Sequence, residues 1–153
     1  VIIDINDQLG NIKSHDWLMK AEVVHRQLRP FLPKDYLTKM QRVFSGGGRM
    51  CVFVEGYHVT GVAVYRVYED TANGQHMYVD DLISDEAKRS TGIGKALMRH
   101  LQNVARELRC EKFTLDSGTH RQQAHKFYFR EGMVVTAFHF GKVVPSGVPS
   151  AEM

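Results

Sequence analysis

The chain has 153 residues, 43% of them hydrophobic and 24% charged, with a formal net charge of +3 at pH 7. That is the composition of an ordinary globular domain with a sizeable core, not of a disordered, fibrous or disulfide-stapled chain. The mild positive charge suits anionic small ligands. No basic cluster interleaved with aromatics marks a nucleic-acid binder, no run of about 18 apolar residues marks a membrane span, and the N-terminus lacks a basic-then-apolar leader.

Val1 to Ile5 is a short apolar run expected to form a first strand. Asp16 is placed to cap a helix running to about Leu28, stopped by Arg29-Pro30. A second helix should follow Pro33, with Tyr36, Leu37, Met40, Val43 and Phe44 at helical spacing. Gly46-Gly47-Gly48 ends it in a turn. Arg49–Glu55 and His58–Tyr68 read as two strands of a hairpin turning at Gly56-Tyr57. A polar turn around Asn73-Gly74 leads into a strand from His76 to Ile83. The next helix shows one apolar face: Ile93, Leu97, Leu101, Val104, Ala105 and Leu108. A short strand, Lys112–Leu115, precedes a helix from Gln122 to Glu131 closed by Gly132. Val134–Phe140 is expected as a last strand. The domain is expected to end near residue 142, with a mobile tail over 143–153.

The strongest local signal is Lys88-Arg89-Ser90-Thr91-Gly92-Ile93-Gly94-Lys95-Ala96, between a strand and a helix. The first N–H groups of a helix lack internal partners, and the helix dipole puts about half a positive charge there. A glycine-rich turn at that point is an anion site, here suited to a phosphate-bearing ligand. A P-loop would need glycine where Arg89 stands and Ser or Thr where Ala96 stands. A dinucleotide fingerprint would need a third glycine where Leu97 stands.

What remains, Arg89-x-x-Gly92-x-Gly94, resembles the acyl-CoA loop of the GNAT superfamily of N-acyltransferases. Two further segments carry the resemblance. Ala124-His125-Lys126-Phe127-Tyr128-Phe129-Arg130-Glu131-Gly132-Met133 is similar to that family's Ala-x-x-Phe-Tyr-x-x-x-Gly-Phe, and Val79-Asp80-Asp81-Leu82-Ile83 to its strand before the loop. The resemblance implies a GNAT fold of the α/β (α+β) class. Its central sheet is mixed, mostly antiparallel, flanked by helices and splayed between the fourth and fifth strands, here 76–83 and 112–116. It implies an N-acetyltransferase moving an acetyl group from acetyl-CoA to a primary amine by direct attack in a ternary complex.

The cofactor-binding residues implied are Arg89, Ser90, Thr91, Gly92, Ile93, Gly94 and Lys95 at the pyrophosphate, with the backbone of Leu82, Ile83 and Ser84 along the pantetheine arm. Tyr128 corresponds to a tyrosine able to protonate the departing sulfur. Asp80 resembles a carboxylate used as a base, and Asp81 stands beside it. Aspartates are unusual in mid-strand, and strand alternation would send these two to opposite faces. The match is incomplete. Arg121 occupies a place where many members carry Asn, Met133 replaces Phe, and Ser90-Thr91 makes the loop less basic than usual.

Cys51 and Cys110 are expected as buried free thiols, which suits a reducing cytoplasm. The eight histidines carry no tetrahedral ligand pattern, so no metal is expected. The acceptor is a small-molecule or peptide amine; no nucleic-acid or membrane partner is expected. A homodimer is a family-level expectation. Two rivals remain: a non-catalytic CoA-binding module, and a protein-modifying acyltransferase.

Overall fold

The computed structural model describes residues 1–146; of the tail expected over 143–153, residues 147–153 lie outside the described residues. The chain divides into two compact units, Val1–Leu115 and the residues from Asp116 onward.

In the first unit the elements run β1 (Ile2–Asp4), α1 (His15–Leu28), α2 (Tyr36–Ser45), β2 (Arg49–Glu55), β3 (His58–Glu69), β4 (Gln75–Ser84), a 3₁₀ turn (Glu86–Lys88), α3 (Ile93–Glu107) and β5 (Lys112–Leu115). The strands form one sheet in the order β1-β2-β3-β4-β5. The first three pairings are antiparallel and β4–β5 is parallel, so the sheet is mixed as expected. The β4–β5 ladder stops at Val79–Leu115, while β4 runs on to Ser84. β5 ends at Leu115, so β4 continues beyond Val79 without a β5 partner.

One face of the sheet packs on α1 and α2. Leu18, Ala21 and Val24 of α1 and Tyr36, Met40 and Phe44 of α2 meet Met50, Val52, Val62, Val64 and Ile83. The other face packs on α3, where Ile93, Leu97, Leu101 and Ala105 meet Cys51, Ala63, Tyr65, Met77 and Val79. Alternation along the strands sorts the residues between the two cores. The two helix layers require both faces to be apolar, which is why β3 reads as a nearly unbroken hydrophobic run. Gly61 of β3 is required by this packing. A Cβ there would lie 2.6 Å from Ile93 Cγ2 and 2.9 Å from Leu97 Cδ1.

The helix ends differ in detail from expectation. Ser14, not Asp16, is the N-cap of α1, and its hydroxyl donates to the Asp4 carbonyl at 3.2 Å. Asp16 lies in the first turn, where a carboxylate still favours the helix dipole. Asp35 caps α2 by accepting from the Thr38 N–H at 3.0 Å. Met98, overlooked in the periodicity, is buried on α3, whereas Val104 and Leu108 are half-buried.

The second unit contains α4 (Gln122–Arg130). Gly132 follows it with φ +85°, the left-handed conformation of a helix-terminating glycine. No strand forms at Val134–Phe140, which corrects the expectation of a last strand. The apolar alternation is there, but Val134, Val135, Phe138 and Phe140 are all exposed. A strand exists only through its ladder partner, and this segment has none among the described residues.

Candidate active site

The glycine-rich turn stands at the start of α3, between the 3₁₀ turn and the helix. Ser90 has φ 63° and Gly92 has φ +90°, so two left-handed residues flank Thr91. Turns of this kind gather successive N–H groups into a concavity that fits an anion. Gly92 is the N-cap of α3 and offers no side-chain cap, leaving the N–H groups of Ile93, Gly94 and Lys95 at the helix start. The Thr91 hydroxyl donates to the Lys88 carbonyl and holds the turn. Residues 86–92 are exposed, including Arg89; Lys95 is exposed as well. The loop could hold a pyrophosphate: the first N–H groups of α3 have no side-chain cap, and the side chains of Arg89 and Lys95 are exposed. Leu82, Ile83 and Ser84 lie on the stretch of β4 that β5 leaves unpaired, where an extended ligand arm can add to the strand edge.

The aspartates depart from the strand rule. Val64 of β3 pairs with Asp81 and Tyr65 with Val79, so Asp80 is an extra residue in β4, a β-bulge. The expectation of opposite faces is corrected by this bulge. Asp81 pairs with Val64, whose side chain belongs to the α1–α2 core. Asp80 reaches Arg66, two residues beyond Val64 on the same face of β3. Both carboxylates consequently point to the α1 side.

Their surroundings differ. Asp80 forms a two-pronged pair with Arg66, Nε to Oδ2 and Nη2 to Oδ1, each 2.8 Å. Its side chain is 31% exposed. The hydrogen bonds to Asp80 raise the Arg66 pKa further, making it a permanent cation. Asp81 is only 11% exposed. Its Oδ2 lies 2.7 Å from His25 Nε2, and its Oδ1 takes Arg29 Nε at 2.8 Å and Nη2 at 2.7 Å. Burial pushes the Asp81 carboxyl upward, but the hydrogen bonds from His25 and Arg29 and the Arg29 charge beside it outweigh that push, leaving its pKa below the usual value. Asp81 is a closed, ionised group, while Asp80 is open on one side.

His25, Arg29, Arg66 and Tyr36 escaped the sequence reading. One signal was available for His25: it falls on the buried stripe of α1 with Leu18, Ala21 and Val24. Gln27 of α1 is another. Its amide nitrogen donates to Asp85 Oδ1 at 3.1 Å and its oxygen accepts from the Glu86 N–H at 2.9 Å. The same helix thus holds both the aspartates and the start of the anion loop.

In the second unit, Tyr128 is half-buried on α4, and Phe129 points into solvent. Burial raises the Tyr128 phenol above its ordinary value and the nearby Arg121 charge pulls it partly back. Arg121, where the family often has Asn, thus bears on Tyr128.

Cys51 is buried and free, as expected, whereas Cys110 is only half-buried. No cluster of three or more His, Cys, Asp or Glu side chains suited to a metal occurs among the described residues. None of the described helices is long and apolar enough to cross a membrane.

Residues 15–133 match the model of the acetyltransferase (GNAT) family. The chain is 29% identical over 125 residues to an uncharacterized N-acetyltransferase, YhdJ, of Bacillus subtilis (strain 168), covering 72% of this chain and 81% of that one. Among solved structures, aminoglycoside acetyltransferase AAC(6')-Iy, in complex with the bisubstrate analog CoA-S-monomethyl-acetylneamine, superposes with a TM-score of 0.77 at 16% identity. The match covers 95% of this chain and 98% of that one. An acetyltransferase of Trypanosoma brucei gives 0.74 at 18% identity, over 94% and 99% of the two chains. At such identities the structural likeness is one of fold.

Proposed function

Because the chain belongs to the GNAT family of acetyltransferases, we propose that it moves an acetyl group from acetyl-CoA to a primary amine, which attacks the thioester directly in a ternary complex. The observation that carries this reading is the layout of β4. A partly exposed carboxylate sits at a bulge, Asp80, and the stretch of β4 beyond it, paired with β3 but not with β5, leads into the glycine-rich loop before α3. From Asp80 to Ser84 is roughly 13 Å along a strand.

Arg89, Ser90, Thr91, Gly92, Ile93, Gly94 and Lys95 hold the pyrophosphate, largely through backbone N–H groups. Leu82, Ile83 and Ser84 align the pantetheine arm, and a backbone N–H there polarises the thioester carbonyl. Asp80 binds the acceptor ammonium and draws off its proton. Its two oxygens have about four acceptor positions, of which Arg66 occupies one on each. Asp81, only 11% exposed, already accepts from His25 and from Arg29 Nε and is ion-paired with that guanidinium, so it serves as a fixed anion and not as the base. Tyr128 is the acid for the departing thiolate, a role that rests on its motif. Positioning and proton handling then account for catalysis.

The substrate class is an amine, small molecule or peptide. AAC(6')-Iy makes aminoglycosides worth including in the panel. The test is release of CoA thiol from acetyl-CoA across polyamines, aminoglycosides, amino acids and peptides bearing α- or lysyl-amines. Turnover with one class is the expected result and names the acceptor. Binding of acetyl-CoA with no turnover over the whole panel would overturn the reading in favour of a CoA-binding module.

A further inference from the structure

His25 is 2% exposed, yet both of its ring nitrogens are engaged. Nδ1 lies 2.8 Å from the Tyr36 hydroxyl and Nε2 lies 2.7 Å from Asp81 Oδ2. A neutral imidazole has one donor nitrogen and one acceptor. An ionised Asp81 only accepts, so the proton sits on Nε2. Nδ1 is then the acceptor, and the Tyr36 hydroxyl donates to it. Burial drives the Tyr36 phenol well above its ordinary value, so it keeps that proton. Every hydrogen bond in the chain therefore points toward the Asp81 carboxylate.

The chain continues past Asp81. Arg29 donates to Asp81 Oδ1, and its Nη2 also donates to the main-chain oxygen of Asp80 at 3.0 Å. Asp80 is the bulged residue, left out of the regular β3–β4 register. A guanidinium held by a fixed carboxylate thus clamps the carbonyl of the irregular residue. The network comprises Tyr36 of α2, His25 and Arg29 of α1, and Asp81 of β4, and the charges of Glu22 and Arg26 of α1 also act on Tyr36.

We propose that His25, locked in one tautomer by Tyr36, is a positioning residue that holds Asp81 and Arg29 in place and so fixes the β4 bulge from which Asp80 reaches the acceptor amine. The proposal rests on Asp80 as the acceptor carboxylate. His25 itself does not take the acceptor's proton. Asp81 already accepts from His25 and from Arg29 Nε, and a second proton on the ring would land on Nδ1 and force the Tyr36 hydroxyl to turn around.

The test uses the full chain and the variants His25→Gln, His25→Leu, Tyr36→Phe and Asp80→Asn. Long-range proton–nitrogen spectra of the ring should show the Nε2–H tautomer; a protonated Nδ1 in the neutral ring would overturn the proposal. Amide exchange at Asp80, Asp81 and Leu82 should speed up on the order of tenfold in His25→Leu, with β2 amides unchanged. His25→Gln, which keeps a side-chain N–H donor, should restore most of the protection. An equal loss in β2 and β4 would show a purely global effect and overturn it. With spermidine and neamine as probe amines, His25→Leu should lower kcat about tenfold and leave the KM for acetyl-CoA unchanged. Unchanged kcat alongside an impaired Asp80→Asn would also overturn it. If Asp80→Asn is silent while the exchange pattern holds, the reading of Asp80 has failed and the clamp of the bulge has not.

Discussion

Asp80 and Arg66 meet as a two-pronged pair across the β3–β4 bulge, with both nitrogen–oxygen distances 2.8 Å. Asp80 alternates from Val79, which faces the α3 core, and so lies on the face that Arg66 occupies, while the bulge brings Asp81 to that same face. Arg66 is itself flanked by Tyr68 and Tyr78, whose rings lie 5.6 and 5.1 Å from its guanidinium carbon. A planar guanidinium suits this fork-and-ring environment and an ammonium does not. Asp80→Asn should lower kcat/KM for the acceptor on the order of 10²-fold, the scale of a lost general base. Arg66→Lys should lower it about tenfold by loosening the carboxylate while keeping the charge. Steady-state kinetics with acceptor varied checks both. Equal activity of Arg66→Lys and parent would mean that the fork geometry is irrelevant.

Asp81 ties folding stability to pH. Its pKa is depressed in the fold, so its contribution is present above the ordinary carboxylate value of 3.8 and is lost as pH falls through the lower folded value. Asp81→Asn should therefore destabilise the protein at pH 7 by about 1.5–3 kcal/mol, the range for hydrogen bonds to charged groups. The gap between variant and parent should close below pH 3.8. Chemical denaturation of both proteins at several pH values measures it, and a gap independent of pH would count against an ionised Asp81.

Gly92 adopts φ +90°, and a Cβ there would meet nothing within 4 Å. Any penalty from Gly92→Ala is thus conformational, with no steric part. Altered loop geometry should raise the KM for acetyl-CoA about tenfold, equivalent to roughly 1.4 kcal/mol. The conformational penalty, about 1–2 kcal/mol, should also lower the melting temperature by a few degrees. An unchanged KM would remove the loop from the cofactor site.

Tyr128 keeps its proton beyond the ordinary phenol range because burial raises its pKa. Loss of that proton should therefore limit turnover only above about pH 10. Tyr128→Phe should lower kcat on the order of 10²-fold and leave acetyl-CoA affinity nearly unchanged. Isothermal titration with acetyl-CoA separates the two effects. Full turnover in Tyr128→Phe would dismiss its role as acid.

Cys51 is buried and its thiol is pushed up to about 12. It should stay silent toward a disulfide reagent at pH 8, because the thiolate is the reactive form. Cys110 is half-buried and should react slowly. Titration before and after unfolding should expose Cys51 only in the unfolded chain. Fast modification of Cys51 in the native protein would contradict the packing of β2 against α3.

Several features were legible in the sequence because they depend on local spacing. Leu97, Leu101 and Ala105 repeat with the helical period, and Gly92 and Gly94 mark a turn that must let backbone approach an anion. The strands from Arg49 to Ile83 show through their β-branched runs. The anion loop and the order of elements follow from such signals. The strand expected at Val134–Phe140 failed for the complementary reason: alternation states which residues would share a face, and says nothing of whether an edge is there to pair with.

The roles of the two aspartates were decided in three dimensions. Adjacent strand residues alternate only while the register is regular, and the register breaks at Asp80. Nothing in Val79-Asp80-Asp81-Leu82 announces that break. The partners lie far away in the chain: His25 and Arg29 are 56 and 52 residues from Asp81, and Arg66 is 14 from Asp80. Composition and periodicity by themselves determined the order of strands and helices and a glycine-rich turn at a helix start, while the mixed sheet was implied by the family resemblance. Which carboxylate is closed and which is open depended on long-range pairing, because burial and hydrogen bonding are properties of the assembled sheet and helix and not of the local chain.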